Sequence, residues 1–327
     1  MKVFGFFNTS GGMGQTTLLY HLAWMFADHG IRTLAVDLDP QANLTAMFLN
    51  DERLESLWSN DENIQTVYGA IGPVLQGAGD IANPHVEMIS SNIGLICGDI
   101  ALSRFEDALI NAWSRCHNRD EFAFRTITAF SRLIQMGGGY LGADLVLIDV
   151  GRVNAIIRSA LIAAEQFCIT LAPNLFSLLG MKNLGATLRE GCTIWAELLE
   201  KAPDDFSTFE NTMKPAGYIV IQPGIFGNRP IEAYQRWMRQ IPHVYRDAVL
   251  NESIQSLPTV EQDPYCLSLL RHYKSLMAMA MEVRKPIFFL KSADGAIGAH
   301  IEAVKSCYKD FRQLAARIAA SAGIEFS

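Results

Sequence analysis

The chain has no run of about 18 uninterrupted apolar residues, which excludes a membrane-spanning helix of ordinary length. It passes into an apolar segment directly after Lys2, without a basic region and cleavage site, so no secretory leader is expected. No C-x-x-C pair occurs among its six cysteines, Cys97, Cys116, Cys168, Cys192, Cys266 and Cys307. Scattered in this way they suit reduced, buried thiols of a cytoplasmic protein better than a zinc site or a disulfide framework. The histidines at 21, 29, 85, 117, 243, 272 and 300 lack ligand spacing, which argues against a metal–histidine centre. Positive charge is not in excess: 27 Lys and Arg against 34 Asp and Glu leave a net charge of −7. This argues against a chain that coats nucleic acid with its whole surface and leaves a local basic face open.

What is present is core-forming material. With 327 residues and 50% hydrophobic composition, the chain can bury one large core or two modest ones. Strand and helix signals alternate from end to end. Predicted strands cover 3–7, 33–37, 93–97, 144–149, 167–171, 217–221 and 287–290. Predicted helices cover 16–29, 63–76, 100–114, 120–136, 156–165, 182–200, 230–240, 263–282 and 298–321. Gly137-Gly138-Gly139 reads as a loop, and 201–213 as a polar surface connection. Short apolar strands separated by helices imply parallel pairing through right-handed crossovers. The expected fold is α/β, a doubly wound, mostly parallel sheet flanked by helices, in one domain over 1–327. Such sheets bind ligands beyond the carboxyl ends of their strands.

Residues 8–17 read Asn-Thr-Ser-Gly-Gly-Met-Gly-Gln-Thr-Thr, between the first strand and the first helix. Gly11, Gly12 and Gly14 let backbone N–H groups turn inward around an anion, and the helix N-terminus adds its partial positive charge. A Walker A loop ends in G-K-[ST], because the lysine reaches the outer phosphates and the hydroxyl ligates magnesium. Here the tripeptide is Gly14-Gln15-Thr16. Two further segments follow in order: Val36-Asp37-Leu38-Asp39-Pro40-Gln41, and the apolar strand Leu145-Val146-Leu147-Ile148-Asp149. Together the three resemble the ParA/MinD family of deviant Walker A ATPases, whose loop reads K-G-G-x-G-K-[ST]-[ST], whose second segment reads V-D-x-D-P-Q, and whose Walker B strand ends in an acid. Weaker echoes are Thr66-Val67-Tyr68, the stretch from Ile93 to Glu106, and Lys285-Pro286-Ile287 with Gly295 to Gly298. Three departures stand out: Ser10 and Gln15 replace the two phosphate-facing lysines, and the Walker B exit reads Val150-Gly151-Arg152-Val153.

The resemblance implies a site. Gly11, Gly12, Met13, Gly14, Gln15, Thr16 and Thr17 would cradle ATP or ADP. Thr16 would ligate Mg2+, with Asp37 and Asp149 approaching it through its water shell, and Asp39 would orient the attacking water. The same residues suit blander roles, Thr16 and Thr17 as helix caps and Asp37 and Asp39 as turn or cap acids. A lysine near the phosphates would supply several kcal/mol at an effective dielectric of about 20. The neutral Gln15 can donate a hydrogen bond there but cannot balance charge developing in phosphoryl transfer. Hydrolysis is thus expected to fall by orders of magnitude, and affinity to weaken less.

The resemblance further implies an adenine contact at Asn174 and the strand end Gly217 to Pro223, which ordinary strand termini explain equally well. It also implies a homodimer closing across the phosphates, an adaptor protein, and non-specific DNA held by basic residues of the later helices. Candidates for the last are Arg236, Arg239, Arg246, Arg271, Lys274, Arg284 and Lys285; a solvated helix face is the alternative, and the net charge favours it. The last helix carries Phe311, Leu314, Ala315 and Ile318 on one face with few basic neighbours, a pattern for packing on the sheet rather than on a membrane. Two functions follow: a nucleotide-dependent partition or positioning switch impaired in hydrolysis, or a pseudo-ATPase scaffold that turns nothing over. The fold's amidoligases also depend on the loop lysine, and the segment Asp37 to Gln41 speaks for partition proteins instead.

Overall fold

Val3 and Phe7 of the first strand enter one apolar cluster and Phe4 and Phe6 another, so the strand is buried on both faces and belongs in the middle of a sheet. The computed structural model describes the chain except residues 10–13, 60–64, 153, 207–208, 210–212, 223–231, 254–257, 272 and 274. Among the described residues eight strands pair into one sheet: β1 (Lys2–Asn8), β2 (Thr33–Leu38), β3 (Glu87–Ser90), β4 (Ile93–Ile96), β5 (Leu145–Val150), β6 (Gln166–Leu171), β7 (Lys214–Gln222) and β8 (Cys266–Arg271). Their order is β3-β4-β2-β5-β1-β6-β7-β8, parallel throughout except for the antiparallel β3–β4 pair. This is the doubly wound α/β architecture that the alternating pattern predicts.

On one face the first helix (Gln15–Asp28) buries Leu18, Leu19, Leu22, Ala23 and Phe26 against β1, β2 and β5. The C-terminal helix (Ala299–Ala322) covers it, with Phe311, Leu314, Ala315 and Ile318 buried as its periodicity predicts. His21 joins the two: its ring stacks on Phe311 at 4.9 Å, Nδ1 meets the Thr17 carbonyl at 2.7 Å, and Nε2 accepts from Ile287 N–H at 3.0 Å. An Nε2 that accepts must be unprotonated, and burial pushes the ring's pKa down to about 4. Between pH 6.5 and 4 the unfolded chain therefore takes up a proton that the folded chain refuses, and stability falls as pH falls, by up to about 3 kcal/mol. Denaturant titrations of wild type and His21→Leu across this window should show the difference in stability narrowing towards low pH. Parallel curves would mean the ring titrates freely.

The structure corrects several local readings. Gly137-Gly138-Gly139 lies inside a helix (Ala129–Leu141) rather than a loop. A Cβ on Gly137 would fall 2.7 Å from Ile96 Cδ1, so these glycines serve close helix–sheet approach. Residues 287–290 form a single tight turn, not a strand. The helix expected over 263–282 is half strand: β8 occupies Cys266–Arg271 and only Ser275–Glu282 is helical. The helix expected over 120–136 breaks at Thr128, and that over 182–200 starts earlier, at Leu175. The strand Glu87–Ser90 and the helices Asn43–Phe48 and Asp51–Trp58 carry no separate prediction. Residues 230 and 231 of the helix expected over 230–240 lie outside the described residues; Glu232–Met238 is helical.

Candidate functional site

Parallel pairing sets Asp37 beside Asp149 and Asp149 beside Phe6, so the ends of β2, β5 and β1 bring two acids to one place. Ala35 and Leu147, each two residues earlier, join the cluster under the first helix, so both acids face that helix. Each is buried, and burial pushes both carboxyls above the usual range; for Asp37 the neighbouring Asp149 charge adds to it.

The two acids are held differently. Asp37 accepts from Thr45 N–H at 2.9 Å, Thr45 Oγ1 at 2.8 Å and Asp39 N–H at 3.2 Å. Thr45 Oγ1 in turn accepts from Gly98 N–H at 2.7 Å, and a Cβ on Gly98 would fall 2.7 Å from Asp37 Cγ. Asp37 thus closes the turn after β2 by fixing the helix that starts at Asn43. Asp149 Oδ1 accepts from Gln15, while its buried Oδ2 has no hydrogen-bond partner among the described residues.

Gln15 does not stand in the cleft. Its Nε2 donates to Asp149 Oδ1 at 2.7 Å, with the Phe6 carbonyl at 3.0 Å and the Val150 carbonyl at 3.1 Å. Its Oε1 accepts from Thr170 Oγ1 at 3.2 Å. The amide therefore knots the carboxyl ends of β1, β5 and β6 together. Sequence reasoning places a hydrogen bond from this amide on phosphate; both its N–H groups are already committed to three acceptors.

Gly14 sits in the left-handed region at φ 75°, a conformation open to glycine, and starts the first helix with Thr16 and Thr17 in its opening turn. A Cβ on Gly180, in the helix Leu175–Leu199, would collide with the Thr9 carbonyl, so that helix lies directly against the start of the loop. Ser10, Gly11, Gly12 and Met13 lie outside the described residues, as do Val153, Pro223, His272 and Lys274. Asp39 is half-buried just past β2; its Oδ1 accepts from Gln41 N–H at 3.0 Å and would lie 2.8 Å from a Cβ on Gly151. Gly14, Gln15, Thr16, Thr17, Asp39 and Asp149 all line one cleft of about 1080 Å³ at the carboxyl edge of the sheet.

An orphaned buried carboxylate oxygen beside the Thr16 hydroxyl fits a hydrated divalent cation better than any apolar ligand. Among the described residues no three His, Cys, Asp or Glu side chains converge as a cage. Magnesium asks for none, since it binds through one or two protein oxygens plus phosphate and water.

Other candidates separate. Arg246 is buried against Asp263 and is no surface cation, which removes it from any basic face. Arg271 pairs with Asp310, Arg284 with Asp51 and Lys285 with Asp294. Asn174 caps the helix Leu175–Leu199 by accepting from Ser177 N–H at 2.8 Å, the ordinary role of a residue in that place. Thr45, Gly98 and Thr170 have structural parts in the site that no sequence motif marks.

A family model described as an AAA domain matches residues 1–194, more than half of the chain. The chain belongs to this family. Over 194 residues it is 30% identical to a ParA family protein of Chlamydia muridarum, covering 58% of this chain and 66% of that one. A solved structure from Corynebacterium diphtheriae superposes with a TM-score of 0.72 at 22% identity over 98% of each chain. An ATP complex of a Cyanothece McdA variant superposes with a TM-score of 0.61 at 16% identity, over 100% of this chain and 98% of that one. The solved structures carry the ParA/MinD-like P-loop fold alone at such identities. The chain spans two thirds or less of the length of the first curated relatives it matches.

Proposed function

We propose that this chain is a ParA-like positioning switch that seats ATP or ADP with Mg2+ in the cleft and hydrolyses the nucleotide poorly or not at all. The observation that carries the reading is the commitment of Gln15 to the strand ends, which leaves the loop without a phosphate-facing side-chain donor at that position while the cleft stays open. The backbone of 11–14 and the start of the first helix hold the anion. Thr16 and the free Asp149 oxygen hold the cation, Asp37 contributes charge from a position already hydrogen-bonded, and Asp39 orients water. Bound magnesium neutralises phosphate oxygens. The ATP complex of the Cyanothece protein supports nucleotide as the ligand class. The reading includes action as one domain over 1–327, a homodimer, an adaptor protein, non-specific DNA held by the outer surface and a cytoplasmic setting.

A scaffold that turns nothing over is the second reading, favoured by the same amide: Gln15 already satisfies Asp149 Oδ1 with a hydrogen bond without nucleotide. Calorimetry with ATP and MgCl2 separates the two. The switch expects saturable heat, with phosphate release no greater than about the no-protein control. Silence at millimolar nucleotide sinks the switch, and release that Asp39→Ala abolishes shows that hydrolysis survives.

A further inference from the structure

The loop lacks both ammonium groups, yet the cleft it opens on is not short of cations. Arg152, Arg271, Arg284 and Lys285 all line it. Three are engaged: Arg271 Nε lies 3.4 Å from Asp310 Oδ2, Arg284 donates to Asp51 Oδ1 at 2.6 Å, and Lys285 donates to Asp294 Oδ1 at 2.7 Å. Arg152 is exposed and pairs with no carboxylate among the described residues.

Its position is fixed by the backbone before it. Arg152 follows the end of β5 by two residues, and Gly151 between them lies flat against Asp39, where a Cβ would meet Asp39 Oδ1 at 2.8 Å and Pro40 Cδ at 3.2 Å. The chain therefore leaves the sheet against Asp39 and Pro40, and Arg152 lines the same cleft as Gly14 and Thr16. A guanidinium is charged at every physiological pH and presents a fork of donors matched to phosphate oxygens. A chelated triphosphate still carries net negative charge, and Asp39 and Asp149 repel it.

We propose that Arg152 binds the outer phosphates of the nucleotide, supplying from the Walker B side the cationic contact that positions 10 and 15 do not. The assignment rests on the nucleotide reading above and adds the residue that makes it electrostatically workable.

The test is calorimetric titration of ATP with MgCl2, and of AMP, into wild type, Arg152→Gln and Arg152→Lys, at low and high salt. Arg152→Gln should weaken ATP binding about ten-fold or more, change AMP binding by less than about two-fold, and flatten the salt dependence. Arg152→Lys should recover part of the loss. Thermal unfolding should be unchanged, since the side chain is exposed. If Arg152→Gln binds ATP as wild type does, or loses ATP and AMP equally, Arg152 is not the phosphate contact although the site still holds nucleotide. If wild type takes up no ATP, the nucleotide reading itself falls and the assignment falls with it.

Discussion

Gln15→Ala is expected to lower the free energy of unfolding by about 2–4 kcal/mol, read as a shift of the urea midpoint at constant slope. The loss has a definite source. Removing the amide leaves Asp149 Oδ1 and the Phe6 and Val150 carbonyls without their side-chain donor, and Thr170 Oγ1 keeps only the Phe7 carbonyl at 3.3 Å. Water entering from the cleft can satisfy some of these groups, which keeps the loss below the sum of separate penalties. Gln15→Glu should cost more at neutral pH, because a second carboxylate then faces Asp149 and one of the two must hold a proton. Gln15→Lys has the opposite electrostatics: an ammonium beside Asp149 favours the ionised carboxylate, and on release towards the cleft it restores the phosphate contact. Phosphate release should rise in that variant by about ten-fold or more over wild type if the missing charge is what limits turnover. An unchanged midpoint for Gln15→Ala would show that the amide ties no strands together.

The architecture was legible because apolar strands buried on both faces leave near-continuous runs, as in Val3 to Phe7 and Leu145 to Ile148, and because each motif acid ends such a run. What was not legible depends on contacts distant in sequence. The helical glycines at 137 and 138 look like a turn until Ile96 and Met1 are seen packed against them. Edge strand β8 contains leucine and serine rather than β-branched residues, so local propensity gives no strand signal there. In the site, residue types predicted Asp149 and Thr16 as neighbours, whereas the inward turn of Gln15 needed Thr170 and Val150, from two other strands, to be visible. In the sequence Arg152 is only a departure from the family pattern; the cleft gives it something to do.

The edge of the sheet that escaped prediction is held by the most tightly buried ion pair among the described residues, and breaking that pair should be the costliest single change away from the cleft. Arg246 donates to Asp263 through two nitrogens, at 2.8 and 2.7 Å, and Tyr218 Oη donates to the same carboxylate at 2.7 Å. Burial alone would raise the Asp263 carboxyl; the hydrogen bonds from Arg246 and Tyr218 outweigh it and hold the group below the usual range. Tyr218 belongs to β7, Asp263 lies three residues before the first residue of β8, and Arg246 lies in the wide helical turn Arg246–Leu250, so one carboxylate joins three elements. Asp263→Ala leaves a guanidinium buried without its counter-charge and should cost about 3–5 kcal/mol. The paired exchange Arg246→Met with Asp263→Leu removes both charges together and should cost much less than Asp263→Ala alone. Amide hydrogen exchange should locate the damage: protection is lost first along β8 and the β7 residues facing it, Tyr218 to Ile221, while β1, β2 and β5 stay protected. Because Ile221, Leu270 and Arg271 line the cleft, Asp263→Ala should also weaken whatever the cleft binds, although Asp263 itself does not line it. Equal stability of Asp263→Ala and wild type would mean that the edge is held by apolar packing alone.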